Sequence, residues 1–373
     1  MRNFGEVWNK MKYQFWLSNI KEKGHGIGNV KIKHLYDVAE TAEEIYEMSE
    51  KALAQIDGIT DKEIAYIIDS RRTWDLEKEW EVFLEKGIGF VTIESLEYPE
   101  KLRNISNAPY CLFYLGRLPD CKKKSVAIVG ARGRSAYGSE VSRRLGQSLA
   151  QNGIQVISGM AKGIDTDGHM GALEGNGDTY AVLGCGVDVC YPKSNRYLYE
   201  ELMKKGGILS EYAPGTPPDA GRFPPRNRII SGLSDKVVVI EARKKSGSLI
   251  TADFALEQGK DVYALPGRIT DALSEGCNAL IKQGAGTITG INDFISELTI
   301  SGETSCTQID FRQIVLEKDE SLVYSLLDFC PVGIGTLMEK VPYQLMQLVE
   351  ILERLEKKEM IRETVPNYFI RTL

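Results

Sequence analysis

Long hydrophobic runs are absent. No stretch approaches the roughly 20 apolar residues a bilayer span needs, which excludes a membrane-spanning helix. The N-terminal segment MRNFGEVWNKMKYQFWLSNIKEKG breaks its apolar residues with charges and offers no small-residue cleavage site. No secretory leader is therefore expected, and the predicted location is the cytoplasm. Paired thiols are missing too: the seven cysteines, at 111, 121, 185, 190, 277, 306 and 330, contain no CxxC, and the three histidines stand apart from them. That spacing excludes a zinc finger or a disulfide framework and predicts reduced, mostly buried thiols. The nucleotide fingerprints GxGxxG and GxxxxGK[ST] are both lacking, and no acidic residue closes the second strand to hold a ribose. No cofactor is expected.

Excess positive charge is lacking as well. The formal net charge is −6, an unpromising value for a nucleic-acid binder until its distribution is read. Residues 1–124 carry −2, residues 125–290 carry +2 and residues 291–373 carry −6, so the acidity sits mainly at the C-terminal end. A local cationic groove in the slightly basic middle remains compatible with phosphate binding.

What is present is an alternation of short β-branched runs and helical stretches. KSVAIVG, IQVISG, TYAVLGCG, GILSEY, KVVVIEA, DVYALPG and TITG read as strands, separated by segments with helical spacing such as SEVSRRLGQSLAQNG. Apolar strands of this kind are buried on both faces. With right-handed crossovers they predict a doubly wound α/β domain around a parallel sheet.

The flanks differ. GHGIGNVKI and IDGITDKEIAYIIDSRR each place a Gly-containing turn before an amphipathic helix, as in SAM-like or helix-hairpin-helix modules. Such modules can present backbone N–H groups to a phosphate, although small helical cores look alike. GETSCTQIDF (302–311) reads as a linker. Beyond it, three helices and a short hairpin follow in winged-helix order. Glu350, Glu353 and Glu356 beside Arg354, Lys357 and Lys358 argue against a duplex-reading third helix and favour protein contact or packing. The predicted domains are therefore 1–82 (helical), 83–300 (α/β) and 301–373 (linker and winged helix).

Ligands of open parallel sheets bind beyond the carboxyl ends of the strands. Two consecutive strand ends here are small-residue turns opening helices. The first is Gly130-Ala131-Arg132-Gly133-Arg134, where Arg132 can fork onto a phosphate. The second is Ser158-Gly159-Met160-Ala161-Lys162-Gly163-Ile164-Asp165, which adds a hydroxyl and an ammonium. Tight strand-to-helix geometry alone could account for either turn. A third feature, Phe223-Pro224-Pro225-Arg226-Asn227-Arg228, reads as a proline-set turn that puts cations beside an aromatic ring, as single-strand binders do. The competing reading makes Phe223 core and pairs the arginines with acids such as Glu211 or Glu241.

Together, VAIVGARGRSAYG, ISGMAKGIDTDGHMGAL, AVLGCGVDVCYPKSN, LSEYAPGTPP, FPPRNRIISGLSDKVVVIEA, SGSLITADFALEQGKDVYALPG and GCNALIKQGA resemble the successive motifs of the DprA/Smf family over roughly residues 85–290. The resemblance implies an extended Rossmann-like fold, a homodimer, single-stranded DNA as ligand, and loading of RecA during natural transformation. It implies DNA-binding roles for Gly130, Ala131 and Arg132, for the Ser158–Gly163 turn, for Lys193 in Tyr191–Asn195, and for Phe223, Arg226, Asn227 and Arg228. One departure is visible: where members often carry lysine, three residues before the Phe, this chain has Ala220, with Arg222 the nearest substitute.

A nucleotide-processing enzyme of the LOG type would need PGGxGTxxE, which is absent; the corresponding region reads EARKKSGSLITADFALEQG. Asp165, Asp167 and His169 are spaced i, i+2, i+4 and should not converge as an acid–base set. Asp165 is expected to cap its helix instead. A mononucleotide-binding regulator would use the same two turns.

Overall fold

The structure is a computed structural model that describes residues 4–20, 27–300, 316–328, 330–358 and 360–372. Among the described residues, six helices come first: α1 (Phe4–Asn19), α2 (Asn29–Tyr36), α3 (Ala42–Glu47), α4 (Glu50–Leu53), α5 (Asp61–Thr73) and α6 (Leu76–Glu85). Their starts are written locally. Thr41, Ser49 and Asp75 cap α3, α4 and α6 with side-chain oxygens, and Thr60 with Glu63 forms a capping box on α5. The turn before α2 lies partly outside the described residues.

Next come β1 (Gly89–Thr92), α7 (Glu100–Arg103), β2 (Cys111–Gly116), β3 (Ser125–Val129), α8 (Ala136–Gln151), β4 (Gln155–Ser158), α9 (Ile164–Glu174) and β5 (Thr179–Val182). The unit continues through α10 (Arg196–Lys205), β6 (Gly206–Ser210), α11 (Phe223–Gly232), β7 (Lys236–Val239), α12 (Gly247–Glu257), β8 (Asp261–Ala264), α13 (Glu275–Lys282), β9 (Gly286–Thr287) and α14 (Ile291–Ile300). These strands form one sheet in the order β1-β2-β6-β5-β4-β3-β7-β8-β9. The seven strands β3 to β9 run parallel, and β1 and β2 add an antiparallel edge that the alternation pattern did not foretell. The central strand β3, SVAIV, is buried along its whole length. Its alternate side chains enter apolar clusters on the two faces of the sheet, Ala127 and Val129 on one, Val126 and Ile128 on the other.

The N-terminal helices share a core with this sheet. Phe15, Trp80 and Phe83 pack with Phe90 of β1 and Phe113 of β2, Phe15 and Phe83 having ring centroids 4.5 Å apart. The antiparallel strands thus give the helices an apolar face to cover.

The C-terminal residues form their own apolar cluster from α15 (Lys318–Leu326), α16 (Ile334–Met338), α17 (Leu345–Lys357) and a three-stranded sheet, β10 (Val332–Gly333), β12 (Tyr368–Arg371) and β11 (Ile361–Val365). Two cations of the C-terminal charge cluster are tied to α15: Arg354 pairs with Asp319 and Glu320, and Lys358 with Glu320 at 2.6 Å. The expected linker at 302–311, with Cys306, lies outside the described residues. Burial of the thiols is less general than expected. Cys111, Cys185 and Cys277 are buried, Cys190 is half-buried, and Cys121 and Cys330 are exposed. Among the described residues no helix is long and apolar enough to cross a membrane.

Candidate functional site

The crossovers fix where a ligand would sit. From β3 the chain passes through α8 to β4 on one side, whereas from β7, the other neighbour of β3, it passes through α12 to β8 on the opposite side. The crevice between the turns after β3 and β7 is therefore the topological switch point. A cleft of about 630 Å³ opens there, and it is walled by the β3 turn (Gly130 to Gly133), Ala161, Tyr191, the start of α11 and the β7 turn.

The β3 turn is held from beneath. The buried carboxylate of Glu241, just past the end of β7, accepts hydrogen bonds from Ser135 N at 3.0 Å and from the Ser135 hydroxyl. Ser135 in turn caps α8 by accepting from Gly138 N. Burial raises the Glu241 pKa, and the Ser135 bonds oppose the rise. With its polar neighbours engaged below, the turn leaves Arg132 exposed at the cleft.

The β4 turn is closed by Asp165. This residue is the second of α9, not its cap. Its carboxylate reaches back to accept from Gly159 N at 3.1 Å and Ala161 N at 3.3 Å, while Gly163 occupies the cap position. Gly163 has φ +85°, and a Cβ there would lie 2.3 Å from Ala131 O, so the β3 and β4 turns touch backbone to backbone. Gly159 is equally constrained, since a Cβ would stand 2.7 Å from the guanidinium of Arg226.

α11 corrects the reading of Phe223-Pro224-Pro225-Arg226-Asn227-Arg228. This segment is the first turns of a helix, with proline at the positions where an N–H is dispensable. Helical spacing sends Phe223, Arg226, Asn227 and Ile230 to the cleft. Arg228 points away from it. Its guanidinium is buried in a two-pronged ion pair with Glu211 at 2.7 and 2.8 Å and donates to Asn107 O and Pro225 O. The pairing with Glu211 considered above thus holds for Arg228, and Arg228 is not available to a ligand in the cleft.

Arg226 is buried too, yet it borders the cleft. It donates to Gly159 O at 3.0 Å, to Val182 O and to the side chain of Asn227. Burial pulls its pKa down and lifts that of Asp165, and the charge of each opposes the shift of the other. The half-buried Phe223 ring is central: Tyr191 stacks on it at 5.6 Å and 22°, and Arg132 and Arg226 lie 5.7 and 6.0 Å from its centroid.

The structure thus brings together Gly130, Ala131, Arg132, Ala161, Phe223, Arg226 and Asn227. It places the other predicted residues elsewhere. Ser158 is buried and donates to Ile128 O at 2.6 Å, and Met160 is fully buried. Gly159 and Gly163 act as close-packing points behind the turn. Lys162 and Lys193 are exposed but do not line the cleft. Arg222 donates to Pro217 O at 2.6 Å and lies over Tyr212, so its head does not replace a lysine at Ala220, which does line the cleft. Asp165, Asp167 and His169 part company: Asp167 pairs with Arg134, while His169 is fully buried and meets Thr179 Oγ1 at 2.7 Å.

Sequence reasoning missed one wall. Arg243, Lys245 and the Ser246-Gly247-Ser248 start of α12 line the cleft, as does Tyr191. The signal was present in KVVVIEARKKSGSLIT, a third strand end followed by a small-residue turn, here with three consecutive cations.

Fold and site define a doubly wound α/β protein with a cationic, aromatic-bearing cleft at its switch point. The family model for DNA recombination-mediator protein A matches residues 89–299, and this chain belongs to that family. The chain is similar to protein Smf of Synechocystis sp., with 39% identity over 76% of this chain and 72% of that one. It is also similar to DNA processing protein DprA of Streptococcus pneumoniae, with 47% identity over 54% and 71%. The crystal structure of DNA processing protein A from Streptococcus pneumoniae superposes with a TM-score of 0.68 at 37% identity, over 77% of this chain and 97% of that one. DNA processing protein A from Helicobacter pylori, solved with attention to its single-stranded DNA binding mode, gives 0.52 at 32%, over 57% and 97%.

Proposed function

We propose that this protein binds single-stranded DNA, with little sequence preference, in the cleft between the β3 and β7 turns. The observation that carries the reading is the meeting of Arg132 with the Phe223 ring. A free guanidinium serves a phosphate while an aromatic face beside it serves a base, and neither demands a particular sequence. The single-stranded DNA binding mode of the Helicobacter pylori relative supports the same ligand. On this reading the protein is a cytoplasmic recombination mediator, not an enzyme. It works as a homodimer that loads RecA onto the bound strand during natural transformation. Residues 1–82 form its SAM-like part, 83–300 its Rossmann-like part, and 301–373 a linker and winged helix.

The separate directions taken by Asp165, Asp167 and His169 argue against a LOG-like hydrolytic centre built from them. A mononucleotide-binding regulator would use the same cleft and is separated by one experiment. A fluorescent oligonucleotide is titrated at two salt concentrations with free mononucleotide as competitor. Tight, salt-sensitive oligonucleotide binding that mononucleotide does not displace supports the reading. Efficient displacement by mononucleotide would replace it.

A further inference from the structure

We propose that Arg243 and Lys245 form a second phosphate-gripping wall, so that the cleft holds two points of one nucleic-acid backbone; this rests on the single-strand reading above. Arg132 stands on the β3 side of the switch-point crevice, and Arg243 with Lys245 stands on the β7 side of the same cleft. Arg132, Arg243 and Lys245 are all exposed, and among the described residues none of the three has a carboxylate partner. Several other cations of the α/β unit carry carboxylate partners: Arg134 pairs with Asp167, Arg143 with Glu174, and Lys236 with Glu297. Positive charge collected in a concave site focuses its potential there and concentrates anions.

The wall is also firmly placed. Ala242 N donates to Leu273 O and Gly276 N to Ala242 O, both at 2.8 Å, and Asn227 Nδ2 donates to Gly247 O at 3.1 Å. These bonds fix both ends of the basic turn, leaving the side chains of Arg243 and Lys245 as its adjustable parts. Asn227 belongs to the same helix as Phe223, so α11 sets the spacing between the aromatic ring and the second wall. A mononucleotide offers one phosphate group and cannot serve both walls. A strand crossing the crevice presents successive phosphates and can. The wall therefore selects a polymer over a monomer without reading bases.

The test uses the full chain and a fluorescent oligothymidylate, titrated over a range of salt. The double variant Arg243→Ala, Lys245→Ala is expected to lose about tenfold or more in affinity at low salt, and its log–log salt slope should fall by about 1.4, some 0.7 for each phosphate released. Arg243→Lys in the Lys245 background should keep most of the wild-type slope. Lys244→Ala, at a residue between the two that does not line the cleft, should leave slope and affinity unchanged. If wild type binds and the double variant keeps its full slope, the second wall is refuted and the single-strand reading stands. Equal losses in Lys244→Ala would also refute it, because general surface charge would then suffice. Wild type that binds no oligonucleotide would remove both.

Discussion

Arg226 and Arg228 are two residues apart on α11 and face opposite sides of it. Arg226 borders the cleft against Gly159 O and the Phe223 ring, whereas Arg228 is locked to Glu211 with both side chains 4% exposed. Consecutive even positions on a helix point apart, so one motif supplies both a site residue and a structural pair. Arg228→Ala leaves Glu211 buried without its main partner and should cost about 3–5 kcal/mol of stability. Urea unfolding checks this. A loss below about 1 kcal/mol, within the range of surface pairs, would contradict the buried pairing.

Arg132→Ala removes an exposed side chain that makes no ion pair among the described residues, so its unfolding midpoint should match wild type. Affinity for oligonucleotides of every sequence should fall alike, with a salt slope shallower by about 0.7. Unchanged affinity in a binding titration would take Arg132 out of the site.

Phe223→Ala tests the aromatic platform. Stacking on an aromatic side chain is worth about 1–3 kcal/mol per base, and a loss of that size in binding is expected from a folded variant. Circular dichroism must first show native melting. Normal affinity would return Phe223 to a purely structural role.

Gly163→Ala should act on both turns at once. Its positive φ and the nearby Ala131 O make any side chain strained there, so stability should drop by more than 1 kcal/mol. Oligonucleotide binding should weaken with it, because the β3 turn that carries Arg132 rests on this contact. Urea unfolding combined with titration would detect a variant that loses neither.

His169 predicts an acid-sensitive step. Burial pushes its pKa from 6.5 down to about 3, so the folded state keeps it neutral where the unfolded chain takes up a proton. The unfolded state binds more protons between those values, and stability therefore falls as pH drops from about 6.5 toward 3, by up to about 1.4 kcal/mol per pH unit. Asp165, Asp167 and Glu241, with raised pKa values, act in the opposite sense. The His169 contribution is thus read as a difference: His169→Gln should unfold with a flatter pH dependence than wild type between pH 6.5 and 5. Parallel curves would show that His169 does not carry it.

The parallel part of the fold was legible in the chain because its cause is local. Runs such as VAIVG and VVVIE are apolar on both faces, and only a sheet covered on both sides accommodates them. The turn glycines were legible for the same reason. The antiparallel pair was not, since CLFYLG makes sense as a sheet strand only once β1, β6 and the N-terminal helices lie beside it. The choice between Arg226 and Arg228, the retreat of Ser158 and Met160 into the interior, and the arrival of Arg243 and Lys245 opposite Arg132 were decided by tertiary structure alone. Each depends on which neighbour a side chain meets across the sheet, a distance of many residues along the chain that composition and spacing do not encode.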